Sequence, residues 1–196
     1  MDRKTLINHL FDHGISYNDY IQTSNKKEHL ELGWETTTNE LSKLDAIEKG
    51  KVNYPLKIIV VSEHWCGDCV KGVPVISRMA EEFDQWQLRI VKRDDFLTLI
   101  EPHYTVAGRF KIPIIIFADE DGDEVERWIE RPANSYQLIH ELQDMRLNKE
   151  DYITQYRTIE EINLPGVTRV IFKDLLFYAR KCVDILAILP KKKVQS

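Results

Sequence analysis

Leu56-Lys57-Ile58-Ile59-Val60-Val61-Ser62-Glu63-His64-Trp65-Cys66-Gly67-Asp68-Cys69 decides how this chain folds. Its first half, Leu56–Val61, is a continuous apolar run rich in β-branched residues, the pattern of a strand buried on both faces. The second half leads straight into helical spacing over Val70–Phe83. Two cysteines three residues apart at a helix N-terminus bring both sulfurs onto one turn. There, unpaired backbone N–H groups and the positive end of the helix dipole favour a thiolate on the first cysteine. A thiolate backed by a second thiol can attack a disulfide, form a mixed disulfide and be released by its neighbour. The residues alone therefore point to dithiol–disulfide exchange.

Outward from this stretch, strand and helix alternate. Leu88–Lys92 reads as a second strand, Phe96–Tyr104 as a short helix and Ile112–Phe117 as another fully apolar strand. Asp119-Glu120-Asp121-Gly122-Asp123 reads as a turn, with Gly122 supplying positive φ. Its acidic spacing does not fit a calcium loop. Glu124–Ile129 then returns antiparallel, and Ser135–Leu147 closes the unit with Leu138, Ile139 and Leu142 on one face. A βαβ unit followed by ββα predicts an α/β mixed sheet with helices on both sides.

Residues 1–50 read as a helical lead-in. Leu6, Ile7, Leu10 and Phe11 share one helical face that Gly14 closes. Leu41, Leu44 and Ile47 repeat the pattern between a cap at Asn39 and a stop at Gly50. Tyr17 to Trp34 yields no assignment. Residues 51–148 form the central domain, and 149–196 a helical C-terminal extension. In that extension, Asp151–Ile162 is followed by a break at Pro165-Gly166 and a long apolar helix over Val167–Leu189. Such a helix must pack on the domain or on a partner, so a homodimer through it is one expectation.

The whole chain has 196 residues, with 27 Lys+Arg against 32 Asp+Glu for a net charge of −5. That balance argues against nucleic acid as a partner. No apolar run approaches the roughly 18 residues needed to span a bilayer, so no membrane association is expected. Met1 to Phe11 lacks the apolar core of a signal peptide. Three cysteines make no disulfide framework, which suggests a reducing, cytoplasmic setting. The tail Pro190-Lys191-Lys192-Lys193-Val194 reads as a solvated helix end rather than an import signal.

With Trp65-Cys66-Gly67-Asp68-Cys69 after a buried strand, Pro74 five residues on and Ile112-Pro113 opening the third apolar strand, residues 52–147 resemble thioredoxin. The turn at Gly122 also matches. The resemblance implies a thioredoxin-like fold and the reduction of protein disulfides by a dithiol pair. Cys66 would be the nucleophile and Cys69 the resolving thiol. Pro113 would be cis, screening the dithiol from metal and leaving the Ile112 backbone to pair with an extended substrate. Trp65 and Gly67 would complete the docking surface.

Three departures qualify the match. Val60 stands where the family carries a buried acid that receives a proton from the resolving thiol, which leaves Asp68 as the candidate for that role. Ser62 replaces an aromatic residue, and Arg131 replaces a glycine of the substrate groove. The charge of Asp68 should also oppose ionisation of the cysteines and make the pair reducing, nearer roughly −270 mV than −120 mV. His64 reads as an exposed loop residue, with proton transfer as its alternative role. Zinc held by Cys66, Cys69 and His64 lacks a fourth ligand. Cys182, on an apolar helix face, reads as inert.

The expected function is a cytoplasmic thiol–disulfide oxidoreductase. Its partners would be a protein or small-thiol disulfide as substrate and a reductase or thiol for recycling, with no bound cofactor and no metal. The alternative is an interaction module that keeps the fold without redox turnover.

Overall fold

Leu56–Ser62 forms β1, buried at every position except Lys57, and the sheet is built around it. The structure, a computed structural model, describes residues 1–145 and 148–189. The other strands are β2 (Trp86–Lys92), β3 (Ile114–Ala118) and β4 (Glu124–Ile129), and the sheet order is β2-β1-β3-β4. β2 runs parallel to β1, whereas β3 is antiparallel to β1 and β4 antiparallel to β3. β3 is wholly buried, as its uninterrupted Ile-Ile-Ile-Phe-Ala sequence requires.

Nine helices occur among the described residues: α1 (Arg3–His13), α2 (Tyr17–Gln22), α3 (Lys27–Leu41), α4 (Ala46–Gly50), α5 (Gly67–Glu82), α6 (Arg93–Ile100), α7 (Ala133–Asp144), α8 (Lys149–Ile162) and α9 (Leu164–Ile188). Side chains alternate across β1. One face carries Lys57, whose ammonium donates to Asn8 Oδ1 at 3.0 Å and lies over the Phe11 ring of α1. The other carries Val60 and Ser62 beneath the start of α5. α3 and α9 pack on α5, and α9 also reaches β4. The result is a mixed sheet flanked by helices, with helical extensions at both ends.

Several boundaries differ from the sequence expectation for identifiable reasons. Asn39 lies inside α3 and caps nothing. Leu41, Leu44 and Ile47 do not share a helix, because Asp45 starts α4 instead through a capping box with Glu48. Tyr17–Trp34, unassigned from sequence, is α2 and the first half of α3. Pro165-Gly166 does not precede the last helix but sits in its first turn, where proline loses no hydrogen bond. The α6 helix begins earlier than Phe96 and ends before Tyr104. Leu147 and the Pro190–Val194 tail lie outside the described residues.

α9 buries Ile171, Phe172, Leu175, Leu176, Ala179 and Cys182 within the chain. Among the described residues, no helix is long and apolar enough to cross a membrane.

Candidate active site

Cys66 is the N-cap of α5. Its backbone is extended, with φ −84° and ψ 117°, and its sulfur accepts from the Cys69 N–H at 3.4 Å. The same sulfur lies 3.5 Å from the Ile112 carbonyl oxygen. The Ile112–Pro113 peptide is cis, as the resemblance implies. Cys66 is half-buried, whereas Cys69, one turn in, is 0 % exposed.

These positions separate the two thiols chemically. The Cys66 thiol is held below its ordinary pKa, chiefly by hydrogen bonding from the Cys69 side chain. Burial opposes that shift, the Cys69 and Asp68 N–H groups support it, and the Asp68 charge opposes it. Burial pushes Cys69 well above its ordinary value, and the hydrogen bond with Cys66 pushes the same way. Cys66 therefore ionises first. Iodoacetamide at neutral pH should modify Cys66 and spare Cys69 and Cys182. The rate should rise with pH and level off above the lowered Cys66 pKa. Asp68→Asn removes an opposing negative charge, so the rise should move to lower pH; a shift to higher pH contradicts the electrostatic reading.

Val60, at the position where the resemblance to thioredoxin implies a buried acid, is 0 % exposed. Polar contact comes instead from Ser62, whose hydroxyl favours the ionised form of Cys69. Ser62 Oγ is 2.8 Å from the hydroxyl of Tyr20 on α2, and both residues are fully buried. Sequence reasoning marked Ser62 only as a departure and missed Tyr20, whose reach from the N-terminal helices depends on the tertiary fold. His64 is not an exposed loop residue. Its ring packs on Tyr20 with centroids 4.2 Å apart, and its Nε2 meets Thr23 Oγ1 at 3.0 Å. Burial lowers its pKa, so the imidazole is neutral near pH 7. Trp65 is 63 % exposed beside Cys66, with the Arg93 guanidinium over its ring.

Asp68 and Arg131, singled out separately in the sequence, form an ion pair at 2.5 Å. Asp68 also faces Lys71 at 3.4 Å, and Lys71 pairs with Glu160 of α8. Arg131 meets Glu130 at 2.8 Å, and Glu130 in turn accepts from Lys111 and from the Tyr136 hydroxyl. Tyr156 donates to Glu160. Burial raises the Asp68 pKa against the pull of Arg131 and Lys71. At Glu130, the bonds from Tyr136 and Lys111 and the Arg131 charge outweigh burial and hold its pKa low. Arg131 and Lys71 both engage the Asp68 carboxylate, and the Ser62 side chain hydrogen-bonds Cys69.

Cys182 is fully buried in α9, away from this constellation, and burial pushes its thiol up to about 12. Beside the dithiol, a cleft of about 470 Å³ runs from Gly67 and Asp68 to a wall made by α8. A neighbouring cleft of about 390 Å³ includes Trp65 and shares Gly67, Lys71, Arg157 and Glu160 with the first.

Comparison with known proteins agrees with this geometry. No curated protein matches the sequence. Two crystal structures share the fold. One is an HIV epitope-scaffold at 15 % identity and TM-score 0.63, covering 87 % of this chain and 95 % of its own. The other is a protein of unknown function from Pseudomonas aeruginosa at 14 % identity and TM-score 0.58, covering 86 % of this chain and 97 % of its own. The family model described as thioredoxin matches residues 14–146. With the sheet, the helix-capping Cys66 and that match over most of its length, the chain belongs to the thioredoxin family.

Proposed function

We propose that this protein is a thiol–disulfide oxidoreductase that reduces disulfides through Cys66 and Cys69. The observation that supports it is the graded pair: a half-exposed thiol with lowered pKa capping α5, backed by a buried thiol with raised pKa. The Cys66 thiolate attacks one sulfur of the substrate disulfide, forms a mixed disulfide and releases the other sulfur as thiolate. Cys69 then loses its proton and attacks Cys66 Sγ. The second substrate thiolate leaves, and the pair becomes a disulfide. Two electrons pass to the substrate, and its two thiolates take up protons. An external thiol or reductase resets the pair, and the cycle requires no bound cofactor. Three free thiols suit a reducing compartment such as the cytoplasm.

Within this cycle, Trp65, Gly67, Ile112 and Pro113 form the substrate surface around Cys66, and Asp68 and Arg131 set the charge beside it. Ser62, backed by Tyr20, stabilises the Cys69 thiolate in place of the absent carboxylate. Hydrogen bonds to charged groups contribute about 1.5–3 kcal/mol. Ser62→Val should therefore slow resolution by roughly tenfold or more. Acid-quenched mass spectrometry should then find the mixed disulfide accumulating, with the first attack unchanged. Resolution at the wild-type rate would remove Ser62 from this role.

The direct test is trapping with Cys69→Ser. This variant should hold a disulfide-bonded insulin chain through Cys66 that dithiothreitol releases. If no adduct forms while Cys66 still reacts with iodoacetamide, the proposal fails. A homodimer through α9 would rest on Phe177 and Ile188, large apolar side chains that the helix leaves exposed. Sedimentation at monomer mass across the micromolar range excludes it.

A further inference from the structure

The cleft beside the dithiol has a charge pattern that disulfide exchange alone does not require. Its wall carries the carboxylates of Asp68, Glu130 and Glu160. Each is already engaged: Asp68 by Arg131 and Lys71, Glu130 by Lys111 and Arg131, Glu160 by Lys71 and Tyr156. Arg109 and Arg157 line the same cleft and are exposed. Neither makes an ion pair or side-chain hydrogen bond among the described residues. Internal pairing thus neutralises the acids and leaves guanidinium donors facing the cleft.

A volume of about 470 Å³ lies within the range of small-molecule sites, roughly 300–1,000 Å³. Guanidinium forks match carboxylates in geometry as well as charge. Gly67, the residue after Cys66, lines the cleft, and the space a side chain would take there is open to 4 Å.

We propose that this cleft binds the carboxylate-bearing arms of a low-molecular-weight disulfide and presents its S–S bond to Cys66. The assignment rests on the oxidoreductase reading and narrows its substrate class. The Cys66 thiolate attacks one ligand sulfur, forming a mixed disulfide and releasing one ligand thiolate. Cys69, its proton lost to solvent, attacks Cys66 Sγ and expels the second thiolate. The dithiol is oxidised by two electrons and the ligand is reduced to two thiols.

The test is stopped-flow oxidation of the reduced full chain by three probes: glutathione disulfide (anionic), hydroxyethyl disulfide (neutral) and cystamine (cationic). In wild type, glutathione disulfide should react roughly tenfold faster than cystamine. Arg109→Glu and Arg157→Glu should each erase most of that advantage and change the hydroxyethyl disulfide rate by less than about twofold. Neither arginine side chain holds an ion pair or hydrogen bond among the described residues, so both variants should fold.

Equal rates with all three probes, or selectivity that survives in the double variant, would overturn the cleft assignment alone. Oxidation by none of the three, while Cys69→Ser still traps insulin, would also overturn the cleft assignment alone; failure of both would overturn the oxidoreductase reading with it.

Discussion

Cys66→Ser should abolish reduction of insulin by dithiothreitol, lowering the catalysed rate by about a thousandfold or more, to the uncatalysed background. A serine hydroxyl is not ionised at neutral pH and forms no mixed disulfide. The substitution is nearly isosteric, and serine is itself a good N-cap, so α5 should keep its start. Loss of rate with an unchanged melting temperature then assigns the chemistry to the sulfur. Cys69→Ser should retain the first attack and stall afterwards. Equal turnover by wild type and Cys66→Ser would leave a thioredoxin-fold interaction module, with the α8 wall and its clefts as the surface of interest.

Arg131→Met should cost about 3 kcal/mol of folding stability, measured as a lower urea midpoint with an unchanged slope. The Arg131 and Asp68 side chains are only 15 % and 16 % exposed, and the pair is supported on both sides by further charges. Removing the cation leaves Asp68 and Glu130 short of a partner in a poorly solvated place, and that uncompensated burial dominates the loss. Lys71 and Lys111 remain, which places the expected value at the lower end for a broken buried pair. A double change, Arg131→Met with Asp68→Leu, should recover much of the loss. If it recovers none, the pair is not the origin of the effect.

The centre of the fold was legible in the sequence, and its periphery was not. Leu56–Ser62 and Ile114–Ala118 are apolar without interruption, so no other element competes for them. Cys66 and Cys69 mark the start of α5, Gly122 marks a positive φ, and the resemblance to thioredoxin marks Pro113 as cis. α3 was invisible because it combines Gly33 with Thr36, Thr37 and Thr38, residues of weak helix propensity. Tertiary packing decides there: a Cβ on Gly33 would come within 2.7 Å of Pro74 Cγ, so the glycine lets α3 approach α5. Leu41, Leu44 and Ile47 have helical spacing, but the Asp45–Glu48 capping box between them starts a new helix. The charge network beside Cys66 joins residues 63 and 89 positions apart, Asp68 to Arg131 and Lys71 to Glu160. No local pattern reports such pairings. Ser62 and Tyr20 meet across 42 positions for the same reason.

Directly after α1, Ile15 exchanges both of its backbone hydrogen bonds with Ile90 on β2, the outer strand of the sheet, at 2.8 and 2.9 Å. The approach depends on Gly14, where a Cβ would fall 2.6 Å from Arg89 Cβ. A bare outer strand is a template for runaway pairing between molecules. The one-residue clasp occupies the middle of that template, so a second chain cannot zip along β2. The segment between α1 and α2 thereby guards this edge against pairing with a second molecule.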